Sequence, residues 1–185
     1  DRFKMYDNIE IINEDILKLD INKLAPKAKI VANLPYYITT SIITELIKTN
    51  ITDITILIQK EVAERICATP GDKKAGAITY FVNYYADAEI VANVSKESFI
   101  PAPEVESAIV RIKKLSEPRV KVKNEELLFK LIKENFKKRR KTIMNSISQN
   151  IEKNKLSEIL AKLGVSESVR GEELSLEKKK KIADL

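Results

Sequence analysis

Between Lys29 and Gln59 the chain passes from a β-branched run, KIVANL, into an amphipathic stretch, TSIITELIKTN, and then into a second β-branched run, ITILIQ. No other feature narrows the fold as much. Strand, helix and strand at this spacing predict a parallel pair joined by a crossover helix, because parallel strands need a long connection. Ile42, Ile43, Leu46 and Ile47 share one helical face, and Thr40 is the expected N-cap. Upstream, IEIINEDI (Ile9–Ile16) reads as a further strand. Downstream, KEVAERICA and AITYFVNYYA read as helices on either side of a TPGDKKAG loop, and AEIVANV and SAIVRIKK as two closing strands. The expectation is an α/β domain over residues 1–117 with a largely parallel sheet, its last two strands pairing antiparallel at one edge.

Past Pro118 the periodicity changes to helical throughout. Asn124 is placed to cap a helix with Glu125 and Glu126 in its first turn, burying Leu128, Leu131, Ile132 and Phe136. KTIMNSISQNI continues in helical register, KLSEILAKLG stops at Gly164, and SLEKKKKIADL closes the chain. Residues 118–185 are therefore expected to form a small all-helical domain.

Composition excludes some chemistry. The 185 residues include no His and one Cys, so no Ser-His or Cys-His pair and no internal disulfide can form. A reducing cytoplasm and no metal site are expected, and no apolar run is long enough for a membrane helix. The net charge of +6 is unevenly spread. From Arg111 to Lys155 basic residues far outnumber acidic ones, and Lys137, Lys138, Arg139, Arg140 and Lys141 are consecutive. Such a field attracts polyanions, nucleic acid first; a solvated lysine-rich face is the alternative.

The chemistry is concentrated where the first of those β-branched runs ends. In open α/β sheets ligands sit beyond the carboxyl ends of strands, and Asn33-Leu34-Pro35-Tyr36 falls there. Asn33 brings an amide. Pro35 has no N–H and biases Leu34 toward an extended conformation, freeing the Leu34 carbonyl. Tyr36 offers a flat face for a base, so loss of its phenol alone is expected to be mild. Two acceptors beside an aromatic suit an exocyclic purine amine, and aligned attack on an activated methyl group needs no His. Phe99, stiffened by Pro101 and Pro103, is a candidate opposite wall for an extruded base. A buried turn with a core tyrosine, and a proline-rich staple, are the plainer readings.

Together NLPYYITTSII, QKEVAERI, SFIPAPEVESAIVRI and FKKRRKTIMNSI resemble the bacterial rRNA adenine dimethyltransferases of the small subunit (16S). The resemblance runs from about Asp7 to Leu185. It implies a Rossmann-like methyltransferase sheet followed by a helical rRNA-binding domain. It implies S-adenosylmethionine as cofactor and dimethylation of the N6 amines of two adjacent adenosines. The implied partner is 16S rRNA in an immature small ribosomal subunit, met by a cytoplasmic monomer. Asn33, Leu34, Pro35, Tyr36 and Phe99 are the implied catalytic set. Asp15 and Ile16, with Asn33, are the implied cofactor contacts, although Asp15 is equally a helix cap on its position alone. Lys137 to Lys141 are the implied rRNA contacts. Large-subunit macrolide-resistance methyltransferases, a non-catalytic nucleic-acid-binding relative and a DNA adenine methyltransferase are the alternatives.

The family's glycine-rich cofactor turn has no counterpart, since no glycine precedes Gly71. The expectation is a fragment that starts near the family's third strand, leaving Ile9–Ile16 without its usual neighbours. Residues 1–185 alone are then expected to bind the cofactor poorly.

Overall fold

The computed structural model describes residue 3 and residues 5–185. A single-turn helix, α1 (Ile21–Leu24), precedes the unit anticipated above: β1 (Ile30–Asn33), α2 (Thr39–Lys48) and β2 (Asp53–Gln59). β1 and β2 pair in parallel, with Asn33 opposite Leu57. Next come α3 (Lys60–Cys67), α4 (Ala77–Tyr85), β3 (Ala86–Val94) and β4 (Ser107–Lys114). The sheet order is β1-β2-β4-β3. The two-helix passage α3–α4 carries β3 parallel to β2, and β4 then slots between them, antiparallel to both.

Only β1–β2 is therefore a parallel pair, against the expectation of a largely parallel sheet. No α-helix separates β3 from β4, only a 3-10 turn at Lys96–Ser98 and the proline-bearing loop after it, so that connection reverses the chain. The core lies on one face of the sheet. Ile54, Ile56 and Ile58 of β2 and Ala108, Val110 and Ile112 of β4 alternate inward against Ile42, Ile43, Leu46 and Ile47 of α2 and Ala63 and Ile66 of α3. The other face carries the ion pair Arg111–Asp53 at 2.7 Å.

Three further expectations are corrected. Ile9–Ile16 forms no strand: no described strand lies beside it and Ile11 is 69% exposed. Alternation alone cannot hold a strand whose backbone groups have no ladder to join. α2 begins two residues early, with Ile38 rather than Thr40 at its N-cap, so Thr40 lies inside its first turn; the Thr39 hydroxyl donates to the Pro35 carbonyl. KTIMNSISQNI yields only the short α6 (Ile143–Ser146), where the Ser146 hydroxyl bonds Ile143 O and Asn135 Oδ1 rather than leaving the backbone to run on.

The helical part otherwise follows the pattern. α5 (Glu125–Lys137) is capped by Asn124, whose Oδ1 accepts from Leu127 N–H at 2.9 Å. It buries Leu128, Leu131 and Ile132, whereas Phe136 is only half-buried, tilted against Tyr80. α7 (Lys153–Lys162) ends at Gly164, with φ +62 in the left-handed region that favours glycine. α8 (Leu176–Ala183) starts at the Ser175 cap.

A second core joins these helices to α4. Tyr80 and Tyr84 point away from the sheet into Leu128, Leu131, Ile132, Leu156, Leu160 and Ile182. The Tyr80 hydroxyl donates to the carbonyls of Glu172 and Leu174, and Tyr84 and Tyr85 both donate to Glu125. Lys179 is buried in the same joint, its ammonium over the Tyr80 ring and bonded to Gly171 O. Burial pulls its pKa down to about 7, and Glu172 opposes that pull. Gly171 is required there, since a Cβ would lie 2.2 Å from Asn135.

Candidate active site

At the carboxyl end of β1 hydrogen bonds on either side hold the turn that follows. The Leu34 N–H donates to Leu57 O at 3.2 Å, prolonging the parallel pairing by one residue. Pro35, at φ −60 and ψ 131, then turns the chain with no N–H left to satisfy. Its carbonyl accepts twice, from Ile38 N–H at 3.3 Å and Thr39 Oγ1 at 2.9 Å. Among the described residues no donor reaches the Leu34 carbonyl, and the exposed Asn33 amide has no hydrogen-bond partner. An amide and a carbonyl beside each other without protein partners are set out for a ligand.

Asn33, Leu34, Pro35, Tyr36, Phe99, Pro101 and Pro103 line one open cleft of about 340 Å³. All five residues expected to act on the substrate are thus brought together, although Phe99 is far from Tyr36 in sequence. Two anchors escaped the sequence reading. Thr39 fixes the turn through Pro35. Ser107, the first residue of β4, is fully buried, and its Oγ lies 3.0 Å from the Tyr36 hydroxyl. The signal available for Ser107 was a polar residue at the head of the apolar run Ala108-Ile109-Val110.

Asp15 and Ile16 are not brought to this cleft. The Asp15 carboxylate turns back on its own chain, accepting from Leu17 N–H at 3.0 Å, the local bond an Asx turn makes. Ile16 lines a separate hollow with Leu17, Leu19, Ile21 and Leu46. Of the expected cofactor contacts, only Asn33 stands at the cleft.

The basic run divides. Lys137 pairs with Glu134 at 3.1 Å, and its hydrogen bond is the main reason that carboxyl sits below its usual range. Lys138 reaches Glu134 and donates to Ser146 O. Arg139 is turned into the joint between the two parts: Nη2 donates to Ala75 O at 2.7 Å, Nε pairs with Glu172 at 3.2 Å, and the guanidinium lies 5.1 Å from the Phe136 centroid. Arg140 and Lys141 are exposed and make no salt bridge or side-chain hydrogen bond among the described residues.

Burial, aided by Glu89, pushes the half-buried Cys67 thiol up to about 11, away from thiolate reactivity. Among the described residues no group of His, Cys, Asp or Glu could hold a metal, and no helix is long and apolar enough to cross a membrane.

Comparison with known proteins agrees with this geometry. The family model described as ribosomal RNA adenine dimethylase matches residues 1–185. The ribosomal RNA small subunit methyltransferase A of Lachnoclostridium phytofermentans is 48% identical over 197 residues, covering 100% of this chain and 68% of that protein. The protein of the same name from Clostridium botulinum strain Kyoto is 44% identical over 190 residues, covering 100% of this chain and 69% of its own length. Among solved structures, a dimethyladenosine transferase from Plasmodium falciparum superposes with a TM-score of 0.78 at 24% identity. The 23S rRNA methyltransferase ErmE does so at 0.72 and 22%. Each of these two covers 98% of this chain and 73% of the other, and each shows a shared fold. Sequence match, fold and cleft agree: the chain belongs to the ribosomal RNA adenine dimethylase family.

Proposed function

We propose that the protein dimethylates the N6 amines of two adjacent adenosines in small-subunit (16S) rRNA, using S-adenosylmethionine, during ribosome assembly. One observation carries the reading: the unpartnered Asn33 amide and Leu34 carbonyl sit together in a cleft whose walls include Tyr36 and Phe99. Bound S-adenosylmethionine supplies a methyl group activated by a positively charged sulfur. In the first transfer Asn33 Oδ1 and the Leu34 carbonyl accept the two N6–H groups of the target adenine; in the second, one of them accepts the single N6–H that remains. Those bonds keep the nitrogen pyramidal and its electron pair available for the methyl, and the displaced proton leaves to solvent. Tyr36 and Phe99 hold the extruded base by stacking, which excludes water and fixes its approach.

Asn33 fits the methyl-bearing end of the cofactor by its donor set and position, whereas Asp15 and Ile16, as placed, do not extend that site. Arg140 and Lys141 are the residues free to meet rRNA phosphates, which position the substrate and do not select it. The relatives' names favour the small subunit over the large one. On this reading the protein acts in the cytoplasm as a monomer, with no metal. The boundary between its catalytic and RNA-holding parts lies near Glu117, supported by a sheet core drawn wholly from residues before it, while the second core packs α4 against the helices beyond it.

The test is methyl transfer from labelled cofactor to immature small subunits, with large-subunit rRNA in parallel. Dimethyladenosine at adjacent positions of 16S rRNA is expected. Label only in large-subunit RNA, or in neither, overturns the assignment.

A further inference from the structure

We infer that Ser107 is a positioning residue for the reaction: its buried hydroxyl locks the Tyr36 ring at the angle that an extruded adenine stacks upon. The inference rests on the function proposed above and adds a residue to it.

The geometry is one-sided. Ser107 opens β4, a central strand, and is held on both flanks, opposite Gln59 of β2 and Val94 of β3. The residue before it is clamped twice to the start of α3: Lys60 N–H donates to Glu106 O at 3.0 Å, and Lys60 Nζ pairs with the Glu106 carboxylate at 2.6 Å. That ammonium is the main reason the Glu106 carboxyl lies below its usual range. Tyr36, by contrast, stands in a three-residue 3-10 turn, half-buried, with its ring on an open cleft. The rigid partner orients the mobile one. The backbone of the turn is already fixed by Thr39 through the Pro35 carbonyl, so the freedom left at Tyr36 is rotation of the side chain. The bond from its hydroxyl to Ser107 Oγ, at 3.0 Å, removes it. Ser107 is fully buried, and the Tyr36 phenol is the side chain its hydroxyl bonds.

Tyr36→Phe is consequently no mild change. It keeps the stacking face but frees the ring and strands a buried hydroxyl. Ser107→Ala, Tyr36→Phe and the double variant are to be compared with the unaltered protein. The measurements are methylation of immature small subunits and fluorescence lifetimes of an rRNA fragment with 2-aminopurine at the target adenosine. Each single change is expected to lower kcat/KM about tenfold, as loss of one hydrogen bond's positioning would. The double should lose no more than either single. The short-lifetime, ring-stacked fraction of the probe should fall severalfold in all three, with rRNA affinity unchanged. Ser107→Thr, which keeps the hydroxyl, should restore both.

A purely architectural Ser107 would lower the melting temperature yet leave the stacked fraction intact and the two losses multiplicative. That result overturns the proposal, as does Ser107→Ala with unaltered turnover. Failure of the unaltered protein to stack the probe or methylate the subunit overturns the underlying function and this role with it.

Discussion

Asn33–Tyr36 and Lys137–Lys141 are both short consecutive runs, but the fold uses them in opposite ways. In the cleft the turn is fixed by Leu57, Thr39 and Ser107, while among the described residues nothing bonds the Asn33 amide or the Leu34 carbonyl. In the basic run the fold consumes most of the charge itself: Lys137 and Lys138 on Glu134, Arg139 on Ala75, Glu172 and Phe136. Only Arg140 and Lys141 face outward uncommitted. A site set by backbone geometry is used whole, whereas a site set by charge is shared with the packing beneath it.

The largest expected effect lies on the cleft side. Asn33→Ala should lower the methylation rate by roughly 10²–10³, the usual cost of one transition-state acceptor, with rRNA binding nearly unchanged. Single-turnover rates beside a filter-binding curve check this, and full activity would remove Asn33 from the reaction. Next come the walls. Tyr36→Ala or Phe99→Ala should each cost about 1–3 kcal/mol of base stacking, read as a rise in KM for the rRNA.

Smaller effects separate the halves of the basic run. Arg140→Ala and Lys141→Ala should each reduce the slope of log affinity against log salt by roughly 0.7–0.9. Arg139→Ala should leave that slope alone and lower the melting temperature, because its bonds hold the joint. If Arg139→Ala flattens the slope as well, the division drawn here fails. The smallest effect is expected behind the run, at Lys179. Its folded pKa, about 7, lies below the ordinary value of 10.5. Between those values the unfolded chain binds more protons, so stability rises with pH across that window. Melting curves at pH 7 and pH 9 should show that rise, and Lys179→Met should flatten it with the cleft unaffected.

The same contrast explains what could be read from the sequence. Asn33 to Tyr36 were legible because proline, strand end and helix start leave the backbone one course. Phe99 was legible because two prolines hold it out. Arg139 was not, since nothing in KKRRK distinguishes the arginine that turns inward; the distinction is made by Glu172, far along the chain. Ser107 was hidden for a similar reason, its partner Tyr36 lying in the turn after β1, far back along the chain. The expected strand at Ile9–Ile16 misled because period-two alternation records what a segment can do beside a neighbour, and no described strand supplies one. Asp15 was assigned by resemblance, but its carboxylate answers to the turn it sits in.

The late entry of β4 between β2 and β3 bears on how the protein is made. The two aromatic walls are carried on pieces that stay unconnected until the chain has been synthesised to the end of β4 and that strand has threaded into place. Until β4 is in place, the Asn-Leu-Pro-Tyr turn lacks both the Ser107 hydroxyl that Tyr36 bonds and the facing wall at Phe99. Pairing between segments so distant in sequence forms more slowly than helices do. Completion of the sheet is thus what brings the two aromatic walls to one cleft.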